Sequence, residues 1–224
     1  MSAAGRPMWV LFICTANICR SAYAEVLARH LLEAPGGLGG RDAVQLASAG
    51  THGFTGREMD PPMAEEARLR GADPGSFRSR PLTMSMVEQA DVVLTAESMH
   101  RQFVLDERPE LFRKIYTLGQ LARTLDAVPA DQPAAPGSTG RSGRPEESGR
   151  STATQLLRGL RTSFHAPSAE DDLPDPFGRG REAASVTAAA IEGLLHRVLP
   201  RLTGVPTRTA DFGAAADPER MQAP

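Results

Sequence analysis

Apolar residues along this chain form short continuous runs that alternate with longer segments of helical spacing. Residues 9–13 are five consecutive apolar residues, two of them aromatic and two β-branched. Such a run predicts a buried strand of a parallel sheet, because both faces of a strand in a parallel sheet are covered. Further strands are predicted at residues 44–48, 91–95 and 114–118.

Helices are predicted between and after these strands, at residues 22–33, 61–70, 82–89, 98–105, 119–125 and 182–202. Two of these helices begin with a recognisable motif. Asp60 and Pro61 are typical of an N-cap and a first helical position, and Ser85 with Glu88 forms a capping box. With 224 residues in the chain, this pattern predicts one α/β domain that can bury a sizeable core.

The composition changes after the predicted helix 119–125. Residues 129–150 are rich in Pro, Gly, Ser, Ala and Arg, and we expect a disordered insertion, because they cannot bury enough surface to offset their ordering entropy. Residues 151–165 regain apolar residues at helical spacing, which predicts an amphipathic helix packed either on the body of the protein or on a partner. The expected domain therefore spans residues 7–202, and residues 203–224 are expected to be a disordered tail.

Candidate chemistry begins at Cys14, where the first predicted strand ends. The residues between Cys14 and the predicted helix are Thr15, Ala16, Asn17, Ile18, Cys19, Arg20 and Ser21. A strand, a tight loop and a helix N-terminus form an anion-binding cradle, since the loop amides point inward and the positive end of the helix dipole lies behind them. Such a field stabilises a thiolate, so Cys14 is the predicted nucleophile.

Three further residues of this loop fit the same prediction. The planar guanidinium of Arg20 suits two oxygens of a tetrahedral oxyanion. Ser21 can donate its hydroxyl proton to the sulfur, and Asn17 tolerates a positive φ and can hold a tight loop together. On residue types alone, the other interpretation is a free cysteine packed as a small hydrophobic residue. The preceding strand, the asparagine and the following helix favour a site.

A late acidic segment offers candidates for a proton donor. Residues 170–178 contain Asp171, Asp172 and Asp175. If the cradle binds a phosphate ester, the oxygen that leaves phosphorus does so poorly unless it is protonated, and a carboxylic acid can supply that proton. The residues alone leave all three candidates open, together with a turn that has no catalytic part.

The segment from Cys14 to Ser21, followed by Ala24 and Glu25, resembles the signature loop of the low-molecular-weight protein tyrosine phosphatase family. That family shares its fold with thioredoxin-coupled arsenate reductases. Further matches lie at residues 48–51, 60–61, 80–83, 90–91 and 175–178, so the resemblance covers roughly residues 8–202 apart from the insertion. It implies a doubly wound four-stranded parallel sheet of order 2-1-3-4 flanked by helices, with the site beside the switch point.

The resemblance also implies roles for individual residues. Asp175, which precedes a proline and an aromatic residue, becomes the general acid and base. Ser48 and Glu97 become supports of the phosphate loop, although a strand-end serine that satisfies a backbone group remains an alternative for Ser48. Phe54 and Phe177 become walls of the pocket.

The sequence departs from the family pattern at two positions. Gly178 stands where many members carry a second aromatic residue, so a more open slot for the substrate ring is expected. Phe77 replaces a common histidine, which changes the hydrogen bonds expected behind the loop.

Charge and cysteine content narrow the expected partners and location. The formal net charge of −2 at pH 7 argues against binding to nucleic acid or to an anionic membrane. Two cysteines five residues apart suit a reducing compartment. No apolar run reaches the length of a membrane span, and residues 1–7 lack the pattern of a signal peptide. A cytoplasmic protein is expected, and the resemblance implies neither a metal nor a cofactor.

We therefore expect a phosphomonoester hydrolase, specifically a protein-tyrosine phosphatase that acts through a cysteinyl-phosphate on phosphotyrosine protein or a small phosphomonoester. One alternative is an arsenate reductase that depends on a low-molecular-weight thiol, since the thioredoxin-coupled kind requires a further cysteine that residues 72–97 lack. Another alternative is a catalytically weak phosphate-binding regulatory module. Cys19 either packs in the loop or forms a reversible disulfide with Cys14.

Overall fold

The computed structural model describes residues 7–34, 37–127, 159 and 166–204. One parallel sheet lies at its centre, with the strand order β2-β1-β3-β4. The strands are β1 (Met8–Cys14), β2 (Val44–Gly50), β3 (Val92–Thr95) and β4 (Ile115–Thr117). The expected fold class and strand order are therefore confirmed.

Six α-helices are present in the described ranges: α1 (Arg20–Glu33), α2 (Pro61–Leu69), α3 (Met84–Gln89), α4 (Ser98–Glu107), α5 (Leu118–Ala127) and α6 (Gly180–Thr203). Short 3₁₀ turns lie at Arg41–Ala43, Pro109–Lys114 and Ala169–Asp171. Helices α1, α2, α5 and α6 cover one face of the sheet, and α3 and α4 cover the other.

Strand β1 supplies both cores because successive side chains of a strand point to opposite faces. Val10, Phe12 and Cys14 lie in the larger core, and Leu11 and Ile13 lie in the smaller one. Helix α6 completes the larger core. Its apolar residues recur at helical spacing and are almost fully buried: Ala184, Ala188, Ile191, Leu195, Val198, Leu199 and Leu202.

The cap of α3 differs from the predicted one. Thr83, not Ser85, caps α3, and its hydroxyl accepts from the amide of Met86. The predicted capping box is wrong, because Ser85 Oγ instead accepts from Gln89, and Glu88 pairs with Arg108.

Asp60 occupies the N-cap position of α2, as predicted, but its side chain makes no capping hydrogen bond. Helix α1 begins at Arg20, two residues earlier than predicted, so Arg20 and Ser21 lie in its first turn.

The predictions of a disordered insertion at 129–150, a helix at 151–165 and a tail at 203–224 fall almost entirely outside the described residues. Thr203 and Gly204 are described and end α6. The domain boundaries therefore stay predictions. None of the helices described is long and apolar enough to cross a membrane.

Candidate active site

The carboxyl end of β1 carries the buried Cys14, and a loop leads from it into α1. The sulfur of Cys14 lies 3.0 Å from Ser21 Oγ. Because the loop is short and α1 begins at Arg20, the positive end of the helix dipole faces the same space as the sulfur. The sequence predicted this placement of the Cys14 sulfur beside the N-terminus of α1.

The backbone of the loop is turned so that its carbonyl groups face outward. The carbonyl oxygens of residues 14, 15, 16 and 18 accept hydrogen bonds of 2.9 to 3.3 Å from the amides of residues 51, 52, 54 and 60. Within the described chain, no hydrogen bond uses the amide N–H groups of residues 15–20. These amides are therefore available to an anion, and such a nest is a favourable phosphate site.

Asn17 holds the loop together from inside. It is fully buried and has a positive φ of 56°. Its amide nitrogen donates to Ser21 Oγ at 2.9 Å and to Ser48 Oγ at 2.8 Å, and its oxygen accepts from the amide of Arg80 at 2.9 Å. Since Ser21 Oγ accepts from Asn17, its own hydrogen is left for the sulfur of Cys14 or for the carbonyl of Ala49 at 3.4 Å.

Glu25 extends this network and had no role in the sequence analysis. Ser48 Oγ donates to its carboxylate at 2.6 Å, which places Ser48 between Glu25 and the loop. The carboxylate is buried and is paired with Arg29 at 2.6 Å. A charged residue four positions after Ser21, on the packed face of α1, was the available signal.

Arg20 is 2% exposed and lies between two carboxylates. Its Nη1 contacts Glu97 and donates to the carbonyl of Leu173 at 3.1 Å, and its Nη2 lies 3.2 Å from Asp175 Oδ2. Its buried Nε has no hydrogen-bond partner among the described residues. An oxyanion held by the loop amides would supply that partner.

The three aspartates of the late segment occupy different environments. Asp171 is buried against Arg123, at 2.7 Å. Burial alone would raise the pKa of Asp171, but hydrogen bonds from Arg123 and the backbone of Ser168 outweigh it and lower that pKa. Asp172 accepts from the amide and hydroxyl of Ser98 at the start of α4. Only Asp175 of the three reaches Arg20, and its side chain is 46% exposed.

The two predicted wall residues are exposed aromatic side chains, Phe54 at 43% and Phe177 at 59%. The amide of Phe54 donates to the loop carbonyl of Ala16, and the guanidinium of Arg57 lies 4.4 Å from the centre of its ring. The amide of Phe177 donates to Asp175 Oδ1 at 3.3 Å. One aromatic residue thus adjoins the loop and the other adjoins Asp175, while their contact with a substrate stays a prediction.

Cys19 is buried in the same loop segment as Cys14, and both cysteines are free thiols. Burial raises the pKa of the Cys19 thiol, and the charges of Asp60, Cys14 and Asp175 raise it further, against an opposing effect of Arg20. Burial and the charge of Asp175 likewise raise the pKa of Asp60. Among the described residues, no group of three His, Cys, Asp or Glu side chains could hold a metal ion.

A comparison with known protein families adds to this geometry. Residues 9–134 match the model of the low molecular weight phosphotyrosine protein phosphatase family. The chain belongs to this family. The match to the family model includes the whole loop from Cys14 to Ser21. It ends before Asp175, which lies beyond the predicted insertion.

Two relatives with similar identity carry different substrate names. The phosphatase is 31% identical, over 112 residues, to a probable low molecular weight protein-tyrosine-phosphatase, EpsP, from Ralstonia nicotianae, covering 50% of this chain and 71% of that protein. It is 32% identical, over 111 residues, to a protein-arginine-phosphatase from Bacillus subtilis, covering 50% and 70%.

The fold agrees with solved structures over a longer stretch. A low molecular weight protein tyrosine phosphatase from T. tengcongensis superposes with a TM-score of 0.59 at 23% identity, covering 87% of this chain and 99% of that one. This likeness extends the shared fold past the region that the family model matches.

Proposed function

We propose that this phosphatase hydrolyses phosphotyrosine in proteins through a cysteinyl-phosphate, with Cys14 as nucleophile, Arg20 as oxyanion binder and Asp175 as general acid and base. The observation that carries the proposal is the convergence on Arg20. The sulfur of Cys14 and the guanidinium of Arg20 belong to one loop, and Asp175 Oδ2 lies 3.2 Å from that guanidinium. This contact supports a single site for the nucleophile, the anion binder and the proton donor.

In the first step the thiolate of Cys14 attacks phosphorus opposite the ester oxygen. The S–P bond forms, the P–O bond breaks, and Asp175 gives its proton to the departing phenolate. The loop amides and Arg20 hold the equatorial oxygens. An arriving phosphate competes with Asp175 for Arg20 Nη2, which releases the carboxyl toward the ester oxygen.

In the second step water attacks the cysteinyl-phosphate. Asp175 accepts a proton from that water, the P–O bond forms and the S–P bond breaks. The electron pair returns to sulfur as a thiolate, which Ser21 Oγ stabilises from 3.0 Å. Inorganic phosphate leaves, and the enzyme regains its starting protonation state.

The proposal is tested with wild type, Cys14→Ser, Asp175→Asn and a matched Glu170→Gln control. Cys14→Ser should abolish turnover, and Asp175→Asn should lower kcat for a phosphotyrosine peptide about 100- to 1,000-fold. The loss in Asp175→Asn should be smaller with p-nitrophenyl phosphate, because nitrophenolate leaves without a proton. Glu170 lies in the same segment but is exposed, so Glu170→Gln should match wild type.

Phosphoarginine is assayed beside phosphotyrosine because one relative is named an arginine phosphatase. A higher kcat/KM on phosphoarginine than on phosphotyrosine would identify phosphoarginine as the preferred substrate, with Cys14 still as the nucleophile. Arsenate-dependent thiol oxidation without ester turnover would overturn the hydrolase proposal.

A further inference from the structure

His100 is a buried histidine beside the phosphate loop that the reaction steps above do not use. It lies in the first turn of α4 and is 1% exposed. Its Nε2 is 2.8 Å from the hydroxyl oxygen of Thr15, the residue that follows the nucleophile. Its Nδ1 is buried without a hydrogen-bond partner among the described residues. Because nearly all buried polar atoms in proteins are hydrogen-bonded, the burial of this unpartnered nitrogen calls for an explanation.

The imidazole is neutral at working pH. Burial lowers the pKa of His100 to about 4, and the positive charges of Arg20 and His52 act in the same direction, against an opposing effect of Asp175. A neutral imidazole carries one N–H, on either Nδ1 or Nε2. The location of this proton decides which partner donates in the contact with Thr15.

The unpartnered Nδ1 favours one of the two tautomers. A proton on Nδ1 would leave a buried N–H without an acceptor, which is a costly and rare arrangement. A proton on Nε2 avoids this and is donated to Thr15 Oγ1. Because that oxygen then accepts, the hydroxyl proton of Thr15 is left for another acceptor. No other hydrogen bond of this hydroxyl exists within the described residues.

We infer that His100 is a positioning residue that turns the hydroxyl of Thr15 into an additional donor to the phosphoryl group bound in the loop. The inference rests on the proposed function, since it requires a phosphate beside Cys14. The backbone of Thr15 is already fixed, because its carbonyl accepts from the amide of His52 at 2.9 Å. His100 thus needs to set only the rotation of the hydroxyl.

A double-mutant cycle tests the inference with Thr15→Val, His100→Leu and the combined variant. Thr15→Val and His100→Leu should each lower kcat/KM for p-nitrophenyl phosphate about tenfold, the size of one hydrogen bond to a charged group. If His100 acts through Thr15, adding His100→Leu to Thr15→Val should cost no more than about a further twofold. His100→Gln, whose amide nitrogen can donate in place of Nε2, should stay within about threefold of wild type.

The affinity for inorganic phosphate, measured by calorimetry, is the second readout and needs no turnover. The affinity for phosphate should weaken in the same variants in which kcat/KM falls. This measurement keeps the inference testable if wild type hydrolyses no ester. Full additivity of the two substitutions, or wild-type behaviour of Thr15→Val, would overturn the inference. Thr15→Val leaves the packing of His100 in place, so it remains informative if His100→Leu unfolds, which melting curves will show.

Discussion

Asn17 is the residue on which the shape of the phosphate loop most depends. Its backbone has a positive φ, and its side chain makes three hydrogen bonds that join the loop to α1, β2 and the segment at Arg80. A backbone in this region is strained for most residues, and each lost buried partner adds a desolvation cost. Two substitutions of Asn17 separate the effect of backbone strain on stability from the effect of the lost hydrogen bonds.

Asn17→Ala should lower the free energy of unfolding by about 2 to 4 kcal/mol, because it loses the hydrogen bonds and keeps the strain. Asn17→Gly loses the same hydrogen bonds but relaxes the strain, so its loss should be about 1 kcal/mol smaller. Urea unfolding of both variants checks this. A glycine variant less stable than the alanine variant would show that backbone strain at this position is unimportant.

The arrangement of side chains in the loop could be predicted from residue types because it is local in sequence. Cys14, Asn17, Arg20 and Ser21 lie within eight residues, and one turn of chain brings them together. His100 could not be predicted, because its contact with Thr15 joins residues 85 positions apart. That contact depends on the rotation of α4 about its own axis, which the sequence pattern does not specify.

At the scale of elements, the end of β2 acts as the outer support of the loop. Gly50 pairs with Cys14 in the β1–β2 register. A Cβ atom at Gly50 would lie 2.5 Å from the carbonyl oxygen of Thr15 and 2.9 Å from the carbonyl carbon of Ala16. These are backbone atoms, so the loop itself would have to move.

Gly50→Ala should therefore lower kcat/KM about 10- to 100-fold, because displacements of the order of an ångström misalign a reacting group. Gly193→Ala is the matched control. Gly193 is exposed on α6 with nothing within 4 Å of its Cβ position, so alanine there should stabilise the protein by about 0.5 to 1 kcal/mol. Steady-state kinetics and melting curves measure both, and equal activity of the two variants would contradict the steric argument.

Most strands and helices could be predicted because each has its own apolar pattern. The residues that cap the helices were harder to predict. Thr83 and Ser85 both have hydroxyls that can cap a helix. The one that does so is decided by where the chain turns after Leu82, whose amide bonds back to the carbonyl of Gly50. That long-range hydrogen bond is not visible in the local sequence.

The stability of the whole molecule should respond to acid through His100. Its folded pKa of about 4 lies below the ordinary value of 6.5, because burial disfavours the charged form. The unfolded chain therefore binds a proton before the folded chain does. This contribution to stability is fully present above pH 6.5 and is lost as the pH falls toward 4.

Wild type should accordingly lose up to about 1.4 kcal/mol of unfolding free energy per pH unit from this group between those values. His100→Gln has no group that titrates there, so its stability should fall less over the same range. Urea titrations at pH 7, 6 and 5 provide the measurement, and parallel curves for the two proteins would contradict the assignment.

The dependence of the larger core on α6 has a consequence for protein synthesis. Helix α1, which carries Arg20 and Ser21, packs against α6, the last described helix of the chain. A growing polypeptide therefore exposes Cys14 to the cell long before the helix that completes the larger core has left the ribosome. A product that terminates before residue 180 therefore carries the thiol of Cys14 without the helix against which α1 packs.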